Sequence, residues 1–242
     1  MNRGGKIVIL SLLIAVLVTS YACWANFGRE PIEVAEVAIY SGKGAVFFED
    51  VAYALELLDI KYKTLSENDI KEGKLKQFDF LIVPGGYTLE YMPALGEAGK
   101  EEIRGFVWEG GGYIGICSGA YIAPERVEVP GRPQGLGIMD IENIRKSGRG
   151  MRKIYLDEHP ITQGLGKELE IYYQNGPEIV AKGNVEGIAK YKSGKFAIVA
   201  SSFGKGKVIC FSPHPEGSIS QGIKPKPETL KLLKNSLEFC QR

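Results

Sequence analysis

The stretch Gly115-Ile116-Cys117-Ser118-Gly119-Ala120-Tyr121 places a cysteine between two glycines, directly after the apolar run 113–116. When a strand turns sharply into a helix, ordinary side chains two residues from the turn collide with the strand and the helix. Glycines at positions 115 and 119 avoid this collision. We therefore predict a nucleophile elbow with Cys117 at its tip, where the helix N-terminus favours the thiolate. The alternative is a buried structural cysteine in a glycine-rich turn.

On both sides of this elbow, short apolar runs alternate with amphipathic segments, which is typical of βα units on a largely parallel sheet. The predicted strands of the first half are 34–40, 61–65, 78–83 and 113–116, and the predicted helices are 45–58 and 101–109. After residue 124 the predicted strands are 151–156, 169–173, 185–191, 196–203 and 207–212, with a hairpin turn at 204–206 and a closing helix at 227–240. The pattern predicts an α/β fold with β-rich additions in the C-terminal half.

A second group of polar residues, Ser212-Pro213-His214-Pro215-Glu216, follows the last predicted strand. His214 is suited to act as a general base and then a general acid, and Glu216 can accept its other ring N–H and fix its tautomer. Because the carboxyl ends of parallel strands form one edge of a sheet, Cys117 and His214 can meet there. His159 precedes Pro160 in a predicted turn, so we expect a surface or capping role for it.

The turn Pro84-Gly85-Gly86 follows the buried run 78–83. Glycine has no Cβ, so backbone N–H groups at Gly85 and Gly86 can approach a substrate carbonyl and, with the N–H of Ser118, form an oxyanion hole. A simple turn is the alternative interpretation. The same sheet edge is expected to carry further pocket residues from the neighbouring turns. These candidates are Tyr40, Gly42, Lys43, Tyr87, Gln174 and Asn175, together with Tyr121 of the elbow motif.

The composition is that of a folded globular protein, with 44% hydrophobic and 24% charged residues in 242. Thirty basic and twenty-nine acidic residues give a net charge of +1, which argues against a nucleic-acid partner. The four cysteines form no CxxC pair and the chain has two histidines, so the sequence offers no zinc-binding pattern. We expect neither a metal nor a cofactor.

The first 29 residues form a separate region ahead of a domain at 30–242. Arg3 and Lys6 precede an uncharged, largely aliphatic run, which is long enough for a signal peptide or a retained membrane anchor. Cleavage before Cys23 and a lipid on Cys23 are both open, as is a buried helix of a cytosolic protein. The basic residues before the run predict that the domain lies outside the cytoplasm, either secreted or held at the membrane by this segment.

The sequence resembles the class I glutamine amidotransferase-like superfamily over most of residues 34–218. It is most similar to the amidotransferase-like domain named after the N-terminal region of some biotin protein ligases (BPL-N). The motifs are Ile39-Tyr40-Ser41-Gly42, Leu81-Ile82-Val83-Pro84-Gly85-Gly86-Tyr87, the elbow at 115–121, Tyr172-Tyr173-Gln174-Asn175-Gly176-Pro177, and Gly204-Lys205-Gly206-Lys207 leading to His214-Pro215-Glu216. The resemblance implies a flavodoxin-like three-layer sandwich, with Cys117 as the nucleophile, His214 as the base and Glu216 as the residue that orients it.

The sequence departs from true glutaminases of this class at Tyr121, where they carry a substrate-holding glutamine four residues after the nucleophile. The resemblance thus implies a Cys-His-Glu hydrolase that acts on a small-molecule or peptide amide, or a related acyl bond, through a thioester. The substrate and the oligomeric state stay open. Two alternatives are a non-catalytic ligand-binding or interaction domain of the same fold, and a redox-responsive protein in which Cys117 oxidises reversibly.

Overall fold

The computed structural model describes residues 36–126 and 134–241. The predicted signal peptide or membrane anchor at 1–29 lies outside these residues. The strands are β1 Val37–Tyr40, β2 Tyr62–Leu65, β3 Phe80–Val83, β4 Gly112–Ile116, β5 Ile141–Ile144, β6 Arg149–Leu156, β7 Glu168–Gln174, β8 Glu178–Ala181, β9 Glu186–Lys190, β10 Phe196–Phe203 and β11 Gly206–Phe211. The helices are α1 Phe48–Leu57, α2 Glu67–Lys71, α3 Thr88–Glu109, α4 Ser118–Ile122 and α5 Pro227–Cys240.

The strands form one mixed sheet in the order β2-β1-β3-β4-β11-β10-β9-β6-β7, with β5 and β8 attached beside β10. Strands β2, β1, β3, β4 and β11 pair in parallel. From β10 onward the pairing is antiparallel. The predicted α/β fold with a β-rich C-terminal half is confirmed, and the parallel part is limited to these five strands. Their carboxyl ends carry the elbow and the segment that leads to His214.

Helices pack on both faces of the parallel strands because successive residues of a strand point to opposite sides. On one face, Leu81 and Val83 share a core with Leu95 and Ile103 of α3. On the other face, Phe80 of β3 and Cys240 of α5 meet over Gly112, where a Cβ would lie within 3.0 Å of both side chains. The result is the three-layer arrangement that the resemblance implied.

Helix α3 is longer than the predicted helix 101–109, since it begins at Thr88. Pro93 lies inside it, and Gly96 has φ 59° and ψ −172°, so two helical stretches join across a kink. In a sequence, a proline and a glycine inside an amphipathic pattern indicate the end of a helix. For this reason the predicted helix was shorter than the observed one. Helix α5 coincides with its prediction, because Pro227 starts it and an apolar stripe ends at Cys240. Within the described residues, no helix is both long and apolar enough to cross a bilayer.

Candidate active site

Cys117 lies at the sharp turn between β4 and α4 with φ 52° and ψ −99°, a conformation that residues with a Cβ rarely adopt. Its N–H donates to the carbonyl of Phe211 at 2.8 Å, which ties the turn to the end of β11. A Cβ on Gly119 would overlap the backbone carbonyl of Val83, and one on Gly115 would lie 2.6 Å from the carbonyl of Gly119. The predicted elbow geometry is confirmed, and the two glycines are required by close backbone contacts.

We expect Gly119→Ala to lower the free energy of unfolding by about 1–3 kcal/mol, because the added methyl group overlaps a strand backbone that cannot move freely. Gly105→Ala is the matched control, since Gly105 lies in α3 and a Cβ there meets nothing within 4 Å. Alanine is the better helix former, so the control should be neutral or stabilising. Urea denaturation of both variants measures the difference, and equal stability would contradict the steric account.

His214 and Glu216 form a buried pair directly beyond β11. Nδ1 of His214 and Oε1 of Glu216 are 2.8 Å apart, and both side chains are fully buried. The backbone N–H of His214 donates to the carbonyl of Tyr172 at 2.7 Å, which fixes the segment against β7. Glu216 therefore holds one ring nitrogen of His214 and leaves Nε2 facing away from it.

The imidazole of His214 and the side chain of Cys117 both lie close to Gly85. A Cβ at Gly85 would be 2.8 Å from Cε1 of His214 and 3.3 Å from the Cβ of Cys117. Nε2 of His214 is buried and has no partner in hydrogen-bonding geometry among the described residues. The rings of Phe47 and Tyr172 pack against the imidazole, at centroid distances of 5.4 and 5.7 Å. These two aromatic residues were missed by the sequence reasoning, although Tyr172 lies in one of the motifs.

The protonation states of His214 and Glu216 influence each other. Burial disfavours the imidazolium, but the Glu216 carboxylate and the adjacent Cys117 outweigh it and raise the pKa of His214 well above its ordinary value. Burial raises the pKa of Glu216, and His214 opposes that rise. The arrangement thus favours a protonated imidazole beside the thiol, which is the state that stabilises a thiolate.

A turn formed by residues 174–176, here called the Gln174 turn, covers the thiol. The Cys117 thiol donates to the carbonyl oxygen of Gln174 at 3.3 Å, and Cys117 is 6% exposed. The side-chain oxygen of Gln174 accepts from the hydroxyl of Tyr172 at 2.6 Å and from the amide of Gln221 at 2.8 Å. The backbone carbonyl of Gln174 therefore contacts the thiol and its side-chain amide joins a polar cluster, while its role in binding substrate stays a prediction.

The amide of Gly86, which was predicted to contribute to an oxyanion hole, is bonded to a neighbouring side chain. The Gly86 N–H donates to Oγ of Ser118 at 3.1 Å, and that hydroxyl donates to the carbonyl of Gly86 at 2.6 Å. Thr88 Oγ1 donates to the same hydroxyl at 3.2 Å. Gly86 is thus held by Ser118 and does not present its amide to the thiol. The amides of Gly85 and of Ser118, the latter at the first position of α4, have no acceptor among the described residues.

The other predicted pocket residues divide into three groups. Tyr121 and Asn175 belong to the cover over the thiol, since the Tyr121 hydroxyl donates to the carbonyl of Asn175 at 3.3 Å. Tyr87 is 65% exposed. Tyr40 and Gly42 were predicted to bind substrate, but Tyr40 is buried against Tyr91 and Gly42 has its free space filled by Tyr40 and Glu67.

His159 has the predicted capping role. Its Nδ1 accepts from the N–H of Ile161 at 3.1 Å at the start of a short 3₁₀ turn, and its Nε2 lies 3.2 Å from Glu186. Within residues 36–126 and 134–241, no group of histidine, cysteine and acidic side chains is arranged to hold a metal ion.

Asp50, which the sequence reasoning missed, is a buried carboxylate behind the His214–Glu216 pair. It accepts from the N–H of Ser220 at 2.9 Å, from the hydroxyl of Ser220 at 2.9 Å and from the hydroxyl of Ser218 at 3.1 Å. The partners are 168 and 170 residues away in sequence, so no local motif reveals them. Asp50 fastens α1 to the segment that follows Glu216 and includes Gln221.

We expect Asp50→Ala to cost about 1–3 kcal/mol of unfolding free energy, because the hydroxyls of Ser218 and Ser220 and one backbone amide lose their shared acceptor. Glu49→Ala, a change at an exposed carboxylate in the same helical turn, is the control and should have little effect. Thermal unfolding followed by circular dichroism compares the two. A loss of the same size in both variants would show that the effect belongs to the helix and not to the buried contacts.

Comparison with known proteins finds one matching family model and several related synthase subunits. Residues 35–146 match the family model described as "Biotin-protein ligase, N terminal". The chain is 33% identical over 148 residues to the pyridoxal 5'-phosphate synthase subunit PdxT of Koribacter versatilis, an alignment that covers 60% of this chain and 72% of that protein. It is 28% identical over 176 residues to the imidazole glycerol phosphate synthase subunit HisH of Sulfurimonas denitrificans, covering 67% and 83% of the two chains.

Among solved structures, the fold is similar to a chain of PurLQS from Thermotoga maritima. The TM-score is 0.66 at 19% identity, and the match covers 85% of this chain and 98% of that one. At this identity, the similarity shows a shared fold. The family of the chain is therefore shown by its sequence identity to PdxT.

Proposed function

Because the chain belongs to the class I glutamine amidotransferase-like superfamily, we propose that it hydrolyses an amide or a related acyl bond through Cys117, His214 and Glu216. The observation that carries the proposal is the position of His214, whose Nδ1 is held by Glu216 at 2.8 Å while its ring shares the space around Gly85 with Cys117. A binding domain does not need a buried imidazole and carboxylate aligned behind a thiol on a strained turn.

The proposed reaction begins when the Cys117 thiolate attacks the acyl carbon. The carbonyl π electrons move to oxygen, and the amides of Gly85 and Ser118 stabilise that oxyanion. His214 then donates its proton to the leaving nitrogen as the C–N bond breaks, which leaves a thioester on Cys117. His214 next takes a proton from water, the hydroxide adds to the thioester, and the acid is released with the thiolate restored. The net reaction is amide plus water to acid plus amine.

The Gln174 turn must move for this reaction, because the thiol is engaged by the Gln174 carbonyl and is nearly inaccessible. Opening frees that carbonyl to accept a hydrogen bond from the substrate amide. The polar side chains of Tyr172, Gln174 and Gln221 then line the entrance.

The direct test is the release of ammonia by the full-length chain from primary amides, with capture of the thioester by acid quenching and intact-mass spectrometry. Glutamine belongs in the panel because of the family, and Tyr121 leads us to expect that it is a poor substrate. A mass increase on Cys117 that equals the acyl group supports the proposal. Ammonia release without dependence on Cys117 contradicts it.

The covered thiol favours a second candidate, a ligand-binding domain of the same fold that performs no turnover. This candidate predicts a ligand that binds saturably, with an affinity that is unchanged in the Cys117→Ser variant, and a wild-type protein that releases no product.

We further propose that the domain acts outside the cytoplasm. The basis is the pair of basic residues and the apolar run in the first 29 positions of the sequence. Protease accessibility in intact cells and in lysed cells separates this from a cytoplasmic location.

A further inference from the structure

The first turn of α1 packs against the segment that carries His214 and Glu216. The ring of Phe47, which directly precedes the helix, lies edge-on to the imidazole of His214 at a centroid distance of 5.4 Å. Asp50 follows three residues later, and residues at this spacing are neighbours on the surface of a helix. Asp50 is 1% exposed. One helical turn therefore places a ring against the base and a buried carboxylate against the chain that follows Glu216.

Asp50 holds the chain just beyond this pair. Its carboxylate accepts from the hydroxyl of Ser218 at 3.1 Å, and from the N–H and the hydroxyl of Ser220, each at 2.9 Å. Ser218 also closes a backbone turn with Ile223, since the N–H of each residue donates to the carbonyl of the other. The closed turn is thus tied to α1 by one carboxylate from another element.

Glu216 depends on this anchor because its own side chain is held at one oxygen only. Oε1 lies 2.8 Å from Nδ1 of His214, whereas Oε2 is buried and has no partner in hydrogen-bonding geometry among the described residues. The orientation of the carboxylate is therefore set by His214 and by the backbone on either side of Glu216. On one side the N–H of His214 is held by the carbonyl of Tyr172, and on the other side the chain is held by Asp50.

Asp50 also adds a second negative charge to this buried region. Burial is the main cause of the raised pKa of Glu216, His214 opposes the rise, and the charge of Asp50 adds to it. The titratable groups that face the imidazole itself are Glu216, Cys117 and Tyr172. A negative charge in a poorly solvated region favours the protonated form of each group near it. The charge of Asp50 therefore favours the imidazolium as well.

We propose that Asp50 is a positioning residue of this site, which fixes Glu216 through the chain that follows it and supports the positive charge of His214 beside the thiol. Asp50 acts through Glu216 and His214 and not on a substrate. This inference rests on the proposed function, because it takes His214 as the base that serves Cys117. The effect on the imidazole is nevertheless measurable without any turnover.

The experiment compares loss of the charge with loss of a bond, in the full-length protein. Asp50→Asn keeps the shape of the side chain and an oxygen for the N–H of Ser220, but removes the charge. We expect the NMR titration midpoint of His214 to fall, by less than in Glu216→Gln, because Glu216 contacts the ring directly. Ser220→Ala keeps the carboxylate, so it should weaken folding and leave the midpoint in place. Glu49→Gln, which neutralises an exposed carboxylate in the same helical turn, is the matched control and should change neither.

The inference is overturned if Asp50→Asn leaves the His214 midpoint unchanged, or if Ser220→Ala or Glu49→Gln lowers it by the same amount. Asp50→Ser, which is smaller and keeps an acceptor, replaces the asparagine variant if that protein does not fold. A midpoint that falls only when the charge of Asp50 is removed supports the inference. If it falls in this way but the wild-type protein releases no ammonia from any primary amide, the role of Asp50 at the pair stands and the proposed hydrolysis fails.

Discussion

Cys117→Ala is expected to reduce amide hydrolysis by roughly 10⁴-fold or more, which in practice means to the uncatalysed background. Every later step of the proposed reaction depends on the thioester. Because the three catalytic residues act together, the loss of one of them removes nearly all of the rate enhancement. The rate of ammonia release at saturating substrate measures this loss of activity. The folded structure should persist, because alanine keeps the small side chain that the elbow accommodates.

The other two described cysteines supply the control. Cys210 lies fully buried on β11, and burial raises the pKa of its thiol far above the ordinary value. Burial raises the pKa of Cys240 to about 12. Cys210→Ala should therefore keep kcat, and iodoacetamide at neutral pH should modify Cys117 before Cys210 or Cys240 while turnover is lost in parallel. Unchanged ammonia release from the Cys117→Ala protein would remove the proposal altogether.

The elbow was predictable from sequence because its requirements are local. Two glycines that flank a cysteine at fixed spacing reflect the tightness of the turn itself, and a Cβ on Gly115 would lie 2.6 Å from the carbonyl of Gly119. The contact between Gly119 and Val83 of β3 is an additional one that the local pattern does not encode. The helix that begins at Pro227 was predictable for the same local reason, since a proline and an apolar stripe define its limits. Features of this kind depend on residues that are neighbours in the chain.

The rest of the site depends on contacts that sequence spacing does not encode. Tyr40 follows a strand at the correct edge, but whether its ring points to the pocket or to Tyr91 is decided by packing on α3. The Gly86 amide was assigned to the oxyanion hole, and the hydroxyl of Ser118 takes it instead. Asp50 bonds to serines about 170 residues away, so its role becomes visible only when α1 and the segment after Glu216 lie side by side.

Glu216→Gln is expected to lower the pKa of His214 while it reduces turnover less than His214→Ala does. The sign follows from the charges. The Glu216 carboxylate favours the imidazolium and is a major cause of the raised pKa of His214, so a neutral amide in its place makes the proton easier to lose. The amide can still hold Nδ1 in position, which preserves part of the general base, whereas alanine at 214 removes the base entirely.

NMR titration of the imidazole Cε1–H resonances measures this shift directly, because the chain has only His159 and His214 and a His159→Ala variant assigns the signals. Glu216→Gln should move the His214 midpoint downward, and the signal of His159, which contacts Glu186 instead, should stay in place. Alkylation of Cys117 should slow in the same variant at a pH where His214 has lost its proton, because the thiolate then lacks its cationic partner. An unchanged His214 midpoint would mean that Glu216 positions the ring without stabilising its charge, and the coupling that supports the thiolate would have to come from elsewhere.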